Sequence, residues 1–569
     1  MTFPNVDKGH QYAVDVVRGD ILACKWVRLA CDFYLKELRR SKDNPDFPFY
    51  FDKQAAEKVL KFKQMMPHTK GEWARKGLLL TLEPWQCFFN MNVFGWKRKD
   101  NDLRRYRKAI LFVPRKNGKS AEAATTGLYM LAADGEHGAE VYSGATTEKQ
   151  AHEVFKPAQI MAKKETDFRE YFGVQVNAQN LIVPKNGSKF ECLIGNPNDG
   201  SSPSCAIVDE LHEHKDSRLY ETMETGMGAR EQPLILIITT AGDNLSGVCY
   251  QMISEAQKSL DGVMEDNETF ALLYTVDKGD DWKSEEALIK ANPNYGVSIK
   301  SDFLKSQQQG AINSARKQSA FQTKHLNIWV GSRSAFFNMQ KWYNCSVNMK
   351  LEDYNGRRAY LGLDLASKVD IAALVIVIPL GDGEYAVFNK SYLPEETILN
   401  GNEAYQGWAI DGHLIQTEGQ MIDFKQIKHD IIDLCKTLDV QEVAYDPYQA
   451  TMLVTSLMDN NVPVVEVGAT VANFSEPMKQ LEAMIRTGQI KHANDPCFNW
   501  MMSNVVAKSD AKDNVYPRKD RDENKIDGPV ALLMAIGRAM RHNEMNLDDW
   551  VNNMIGVDLW IFGAYLVGD

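Results

Sequence analysis

The chain has 569 residues, 65 Lys and Arg against 76 Asp and Glu (formal net charge -11), 44% hydrophobic residues and 25% charged residues. At roughly 150 residues per domain this length predicts about three to four domains, and the globular composition excludes a long disordered or collagen-like chain. The charge excludes an overall basic coat, so any contact with nucleic acid has to come from local patches. The nine cysteines show no CxxC or Cys/His ligand spacing, which argues against a disulfide framework and a zinc site. The opening MTFPNVDKGH has no basic segment followed by an apolar stretch, and the longest apolar run, Ile371 to Leu380, is half a membrane span. A soluble protein in a reducing, cytoplasmic setting with no membrane partner is expected.

Residues 1–60 predict a helical N-terminal segment, since Ala23, Trp26, Val27 and Leu29 to Leu38 carry helical spacing before the turn region KDNPDFPFYFD. From about 75 to 245, short runs such as AILFV, EVYSGA, AIVDE and LILIITTAG alternate with helical stretches. Strand and helix in alternation predict an α/β fold, a parallel sheet with helices on both faces. Residues 245 to about 335 read as a polar helical subdomain, which places a first catalytic domain at 61–335. Residues 336–356 have no clean period and read as a linker. A second α/β domain, 357–545, opens with AYLGLDLA, and 546–569 form a tail without Lys or Arg.

The strand Ala109 to Val113 runs into Pro114-Arg115-Lys116-Asn117-Gly118-Lys119-Ser120, and a helical pattern begins at once. Strand, tight loop and helix N-terminus in that order gather backbone N–H groups around a phosphate. Lys119 would reach the terminal phosphates and Ser120 would ligate Mg²⁺, although Val113 stands where GxxxxGK[ST] has its first glycine. Downstream, the apolar run Cys205 to Val208 ends in Asp209-Glu210, which suits a Mg²⁺-holding Asp and a water-activating Glu. A third strand, Leu234 to Ile238, ends in Thr239-Thr240-Ala241-Gly242, with hydroxyls placed to sense a γ-phosphate. Open α/β sheets bind ligands at this carboxyl edge. Gln86 offers an amide for both edges of adenine, or is simply buried. Arg115 and Arg230 are alternative arginines for the transferred phosphoryl charge, and either could instead be a surface ion pair. His212 and His214 read as polar helix surface.

A second constellation is made of three dispersed aspartates. Asp364 lies inside the apolar strand Tyr360-Leu361-Gly362-Leu363-Asp364-Leu365, on the face of Gly362, where an ionised carboxylate is costly unless a cation or donor satisfies it. Asp446 ends Val443-Ala444-Tyr445, with Pro447 forcing the exit. Asp527 opens a helical run and could equally be its N-cap. Three such carboxylates fit a two-metal phosphodiester-cleaving site using Mg²⁺ or Mn²⁺. Asp370, in a Ser-Lys-Val-Asp turn, reads as a turn residue and fourth candidate. The run Trp96 to Lys108 is the densest basic stretch and a candidate phosphate contact, with a solvated loop as its alternative. Arg518, Lys519 and Lys525 could hold substrate phosphates near Asp527.

Taken together, Pro-Trp-Gln at 84–86, VPRKNGKS, SGATTEKQA, AIVDE, GAR followed by ITTAG, then LGLDLA, AYDP and KIDGPVALLMAI resemble the large terminase subunit of tailed bacteriophages, in the HK97-like branch. The resemblance spans about 60 to 545. It implies a P-loop (ASCE) ATPase domain that drives double-stranded DNA into a procapsid, followed by an RNase H-like nuclease domain that cuts concatemeric DNA. By motif it gives the Walker A roles toward ATP and Mg²⁺ to Lys119 and Ser120, the Walker B and catalytic carboxylate roles to Asp209 and Glu210, and the coupling motif to Thr239 to Gly242, at the end of the strand from Leu234. It gives the nuclease metals to Asp364, Asp446 and Asp527, and the family tolerates Val113 in the loop. It implies as partners double-stranded DNA, a small terminase subunit, the portal protein and further copies of the chain in a ring, acting in the bacterial host cytoplasm and absent from the mature virion. The aromatic tail Gly556 to Gly563 would suit docking on the portal, or would complete a core. The readings to be separated from this one are a helicase-like or remodelling ATPase whose second domain only binds DNA, and a non-enzymatic docking protein.

Overall fold

The computed structural model describes residues 2–542 except 146–147, 195–200, 215, 246, 331–334, 366–369, 402, 449, 510–513 and 520–523. The tail 546–569 and part of the SGATTEKQA motif therefore lie outside the described residues. The chain divides into two compact units, Met1–Val330 and Gly331–Asp569.

The first unit is built on one eight-stranded sheet. Its order is Thr269–Leu273, Lys108–Phe112, Leu234–Thr239, Cys205–Asp209, Glu140–Ala145, Ser188–Ile194, Asn180–Val183 and Gln175–Val176. The first six strands are parallel, and Asn180–Val183 pairs antiparallel with both Ser188–Ile194 and Gln175–Val176. Cys205–Asp209 and Leu234–Thr239 are buried at every position, as strands covered on both faces must be, and so read as unbroken apolar runs. The Leu234 strand lies between the strands that carry the phosphate loop and Asp209, the order of the ASCE class.

Three expectations change here. Residues 245–335 are not wholly helical: Thr269–Leu273 joins the main sheet beside the phosphate-loop strand, its TFALL run fitting a buried edge. Much of the basic run is spent on internal pairs. Arg105 is fully buried, paired to Glu37 at 2.8 Å, and its guanidinium lies 4.0 Å from the centre of the Phe49 ring. Arg104 pairs with Asp134 at 2.8 Å, Lys97 with Asp52 at 3.0 Å, and Arg98 with Glu268. Buried charges persist only when paired, so these side chains tie the N-terminal helices and Asp134 to the amino end of the sheet. The presumed linker is folded as well. Trp342 is fully buried, stacked on His492 at 4.0 Å, and donates from Nε1 to Asn499 Oδ1 at 2.7 Å, all within the second unit.

The second unit carries a seven-stranded mixed sheet ordered Ile415–Thr417, Glu384–Pro394, Ala372–Gly381, Arg358–Asp364, Asp439–Tyr445 and Val464–Glu466, with Ile490–His492 also paired to Glu384–Pro394. The Arg358 strand runs antiparallel to Ala372–Gly381 and parallel to Asp439–Tyr445, an RNase H-like core. The helix 527–542 lies across the Arg358 strand at Gly362, where any Cβ would overlap the Ala531 carbonyl. Gly362 thus permits the close approach that sets Asp527 near Asp364.

Candidate active sites

At the carboxyl edge of the first sheet, the loop after Phe112 turns through left-handed conformations at Lys116 (φ 72) and Gly118 (φ 89), and the helix Lys119–Ala132 follows. Such a turn directs N–H groups inward. Its carbonyls are held from outside. Asn294 Nδ2 donates to Asn117 O at 3.2 Å, and Ser298 Oγ donates to Lys116 O at 2.7 Å. The buried Asn117 side chain donates to Asn292 Oδ1 at 2.9 Å and accepts from Asn294 N at 3.0 Å, while Trp85 Nε1 donates to Asn294 Oδ1 at 2.8 Å. Sequence reading included Asn117 but missed Asn292, Asn294 and Ser298; the Asn-Pro-Asn turn at 292–294 was the available signal.

Lys119 is buried. Its Nζ donates to Val113 O at 3.0 Å and lies 3.9 Å from Glu210 Oε1. Burial lowers its pKa, opposed by Glu210 and Asp209. Asp209 ends its strand almost fully buried, and burial followed by the neighbouring Glu210 raises its pKa to about 7. Glu210 sits at φ 48 and ψ 49, a strained conformation for a side chain other than glycine. Although burial pushes the other way, Lys119 and then His212 hold its pKa down to about 2. Thr239 and Thr240 end the coupling strand, both buried.

Of the two arginines, the structure brings only Arg115 to this edge, where its charge acts on Lys119 and Glu210 and its Nε is buried without a hydrogen bond. Arg230 lies at the opposite, amino edge. It donates to Ser202 O at 2.8 Å and pairs with Glu136 at 3.1 Å and Glu140 at 3.4 Å, so the finger assignment to Arg230 is corrected. His212 and His214 are buried rather than surface residues. Gln86 spends its Oε1 on Glu83 N at 3.0 Å in a capping box, which leaves its Nε2 beside Gly118, so it presents a donor and not both edges. A cavity of about 370 Å³ opens beside Gln86, Gly118, Ala121, Glu122 and Asn294.

In the second unit, Asp364, Asp446 and Asp527 are half-buried and mutually repulsive. Burial, then Asp527, Asp446 and Asp370, push the Asp364 carboxyl well above its usual range. Burial raises Asp527 to about 6, with Asp370 adding to the rise. Asp446 is oriented by Tyr448 N on Oδ1 and Ala469 N on Oδ2, each at 2.8 Å. Asp370 belongs to the cluster rather than to a bland turn, and it pairs with Lys525. The charge of Lys519 acts on Asp527, and Tyr516, on the hairpin Val505–Ser509 with Val515–Lys519, lies within electrostatic reach of Asp446 and Asp364. Among the described residues no three His, Cys, Asp or Glu side chains converge as ligands of one ion. The fit to divalent cations rests on the mutual repulsion, which a bound cation relieves.

The class these two sheets define is a P-loop ATPase joined to an RNase H-like nuclease. A family model described as the terminase large subunit ATPase domain matches residues 84–258, and one described as the terminase large subunit endonuclease domain matches 263–543. Protein YmfN of Escherichia coli (strain K12) is 42% identical over 371 residues, 62% of this chain and 82% of that protein. The terminase large subunit of Enterobacteria phage HK97 is 26% identical over 474 residues, 81% of this chain and 91% of that protein. The crystal structure of the HK97 large terminase aligns with a TM-score of 0.42 at 26% identity, covering 85% of this chain and 99% of that one. The chain belongs to the terminase large subunit family, with an ATP-hydrolysing domain followed by a DNA endonuclease domain. The helicase-like and non-enzymatic readings receive no support. No helix among the described residues is long and apolar enough to cross a membrane.

Proposed function

We propose that the first unit couples ATP hydrolysis to movement of double-stranded DNA into a procapsid, and that the second cuts concatemeric DNA with divalent cations. The carrying observation is that Lys119, Asp209, Glu210 and Thr240 meet at one sheet edge against a loop whose carbonyls are already occupied. Lys119 and the loop N–H groups bind phosphates, and Arg115 adds charge to the transferred phosphoryl group. Glu210, kept ionised, orients the attacking water. Ser120 and Asp209 would hold Mg²⁺, and the raised pKa of Asp209 marks a carboxylate in want of a cation. The cavity beside Gln86 takes the nucleobase.

In the nuclease, Asp364, Asp446 and Asp527 would hold Mg²⁺ or Mn²⁺, whose chemistry is to polarise the phosphodiester and lower the pKa of attacking water. Asp446 is held in position by two backbone N–H groups, and Lys519 screens the approach of substrate phosphate. Through its family the chain would work with a small subunit and a portal, as a ring of copies in the host cytoplasm.

One paired experiment tests the scheme. Glu210→Ala should lower ATP turnover by about 10²–10⁴-fold while a fluorescent ADP still binds. Asp446→Ala should abolish Mg²⁺- or Mn²⁺-dependent plasmid cleavage while ATPase persists. Wild-type ATPase in the first variant, or unchanged nicking in the second, overturns the corresponding assignment.

A further inference from the structure

Two residues beyond Glu210, a histidine is buried with no role in the chemistry above. The His212 side chain is 3% exposed, and its Nδ1 lies 3.2 Å from Glu210 Oε2 while Nε2 lies 3.3 Å from Glu213 Oε1. From the other side, the coupling strand reaches the same ring. The Thr239 hydroxyl is 3.2 Å from Nδ1 and also accepts from His212 N at 3.2 Å, and Thr240 Oγ1 is 3.4 Å from both ring nitrogens. The ring packs against Gly242, where an added Cβ would come within 3.2 Å of His212 Cβ and 3.3 Å of Cδ2. The glycine that ends the coupling motif is therefore the space the imidazole occupies.

A buried histidine that serves only packing is satisfied by a backbone carbonyl. His214 does this with Asp209 O at 3.1 Å, and His492 with Trp342 O at 2.8 Å. His212 instead addresses two carboxylates and two hydroxyls, among them Glu210 and the threonines that end the coupling strand. Its contact with Glu210 is close but misaligned, since Glu210 Oε2 is buried without a hydrogen bond. A small movement of the ring would make or break that bond. Glu210 is thus held between Lys119 on one side and, on the other, an imidazole from its own following turn that the threonines of the coupling strand contact.

We infer that His212 is a positioning residue which sets the orientation of Glu210 according to the position of Thr240, so that water activation depends on the coupling strand. This rests on the ATPase assignment above. When Thr240 shifts, the ring it touches shifts, and the carboxylate is released toward the water or drawn back. The residue acts through Glu210.

The test uses the full chain, measuring ATP turnover with and without linear duplex DNA, together with affinity for a fluorescent ADP. His212→Ala should lower kcat on the order of tenfold or more, with KM for ATP and ADP affinity within about twofold of wild type. His212→Asn, whose amide can donate from near the Nδ1 position, should regain most of the loss, and His212→Gln should not. Unchanged kcat in His212→Ala overturns the inference. So does a joint loss of kcat and ADP affinity that Asn fails to rescue, the signature of lost packing. Should the alanine variant fail to fold, Asn and Gln decide, and equal turnover in those two overturns the inference. Glu210→Gln is assayed alongside: wild-type turnover there refutes the ATPase assignment itself, whereas a dead Glu210→Gln with an active His212→Ala refutes only the role of His212.

Discussion

Glu210 of the first site and Asp364 of the second are treated in opposite ways, although Asp209 beside Glu210 is raised to about 7. In the first unit Glu210 is set among Lys119, His212 and Arg115, and despite burial its pKa falls to about 2. In the second, Asp364 faces Asp527, Asp446 and Asp370, and its pKa is pushed well up. Around Glu210 the first site carries its own cations, and it is poised there for an anionic ligand before one arrives. The second is an electrostatic deficit that only added positive charge removes, which ties its order and its activity to a divalent cation.

The largest expected effect tests the second half of that contrast. Asp527→Asn should reduce cation-dependent cleavage by about 10²–10³-fold, taking loss of one transition-state charge contact as the guide. It should also flatten a pH effect on stability. Because Asp527 titrates near 6 when folded and near 3.8 ordinarily, the folded state holds a proton that the unfolded state has lost between those values. In that window the unfolded chain binds fewer protons, so the stability of the metal-free protein falls as pH rises. Added Mg²⁺ should raise the melting temperature above pH 6 and progressively less toward pH 4, with a smaller response in Asp527→Asn. An equal Mg²⁺ response in both proteins at all pH values would break the comparison.

A smaller effect probes the preorganised site. Asn294→Ala removes the donor to Asn117 O and the acceptor of Trp85 Nε1, buried groups whose loss costs about 1–3 kcal/mol. KM for ATP should rise by about tenfold with kcat little changed, because the loop must then be ordered by the nucleotide. If kcat falls and KM does not, the asparagines act on chemistry rather than on loop order.

The smallest effect concerns the arginine that sequence alone could not place. Arg230→Ala should leave ATP turnover within about twofold of wild type. It should cost about 1–3 kcal/mol of stability in thermal melts, through its pairs with Glu136 and Glu140 and its bond to Ser202 O. A turnover loss of 10²-fold with intact stability would return Arg230 to the catalytic machinery.

Much of the fold was legible because its signals are local. An apolar run such as CAIV followed by Asp209-Glu210 is at once a buried strand and a sheet edge with carboxylates on it. The same holds for the Lys119 loop, the coupling threonines, and Asp364 and Asp446 at strand ends. The fate of charged side chains away from such edges was not legible. Arg104 and Arg105 looked like a patch for DNA until Asp134 and Glu37, distant in sequence, were packed against them. Trp342 looked like part of a linker until His492 and Asn499 closed around it.

By itself, then, the sequence determined the two α/β units and the identity of the residues at the strand ends that carry chemistry. Hydrophobic period and motif spacing are properties of a few consecutive residues. The tertiary structure alone decided which arginine faces the phosphate loop, why Gly362 and Gly242 have no side chain, and that Asn292 and Asn294 brace that loop while His212 lies against Glu210 and the coupling threonines. Each of those depends on contacts between residues far apart along the chain, as with Asn117 and Asn292 at a separation of 175. A polar side chain's role is set by what desolvates it and what then satisfies it, and neither is written in its own neighbourhood of the sequence.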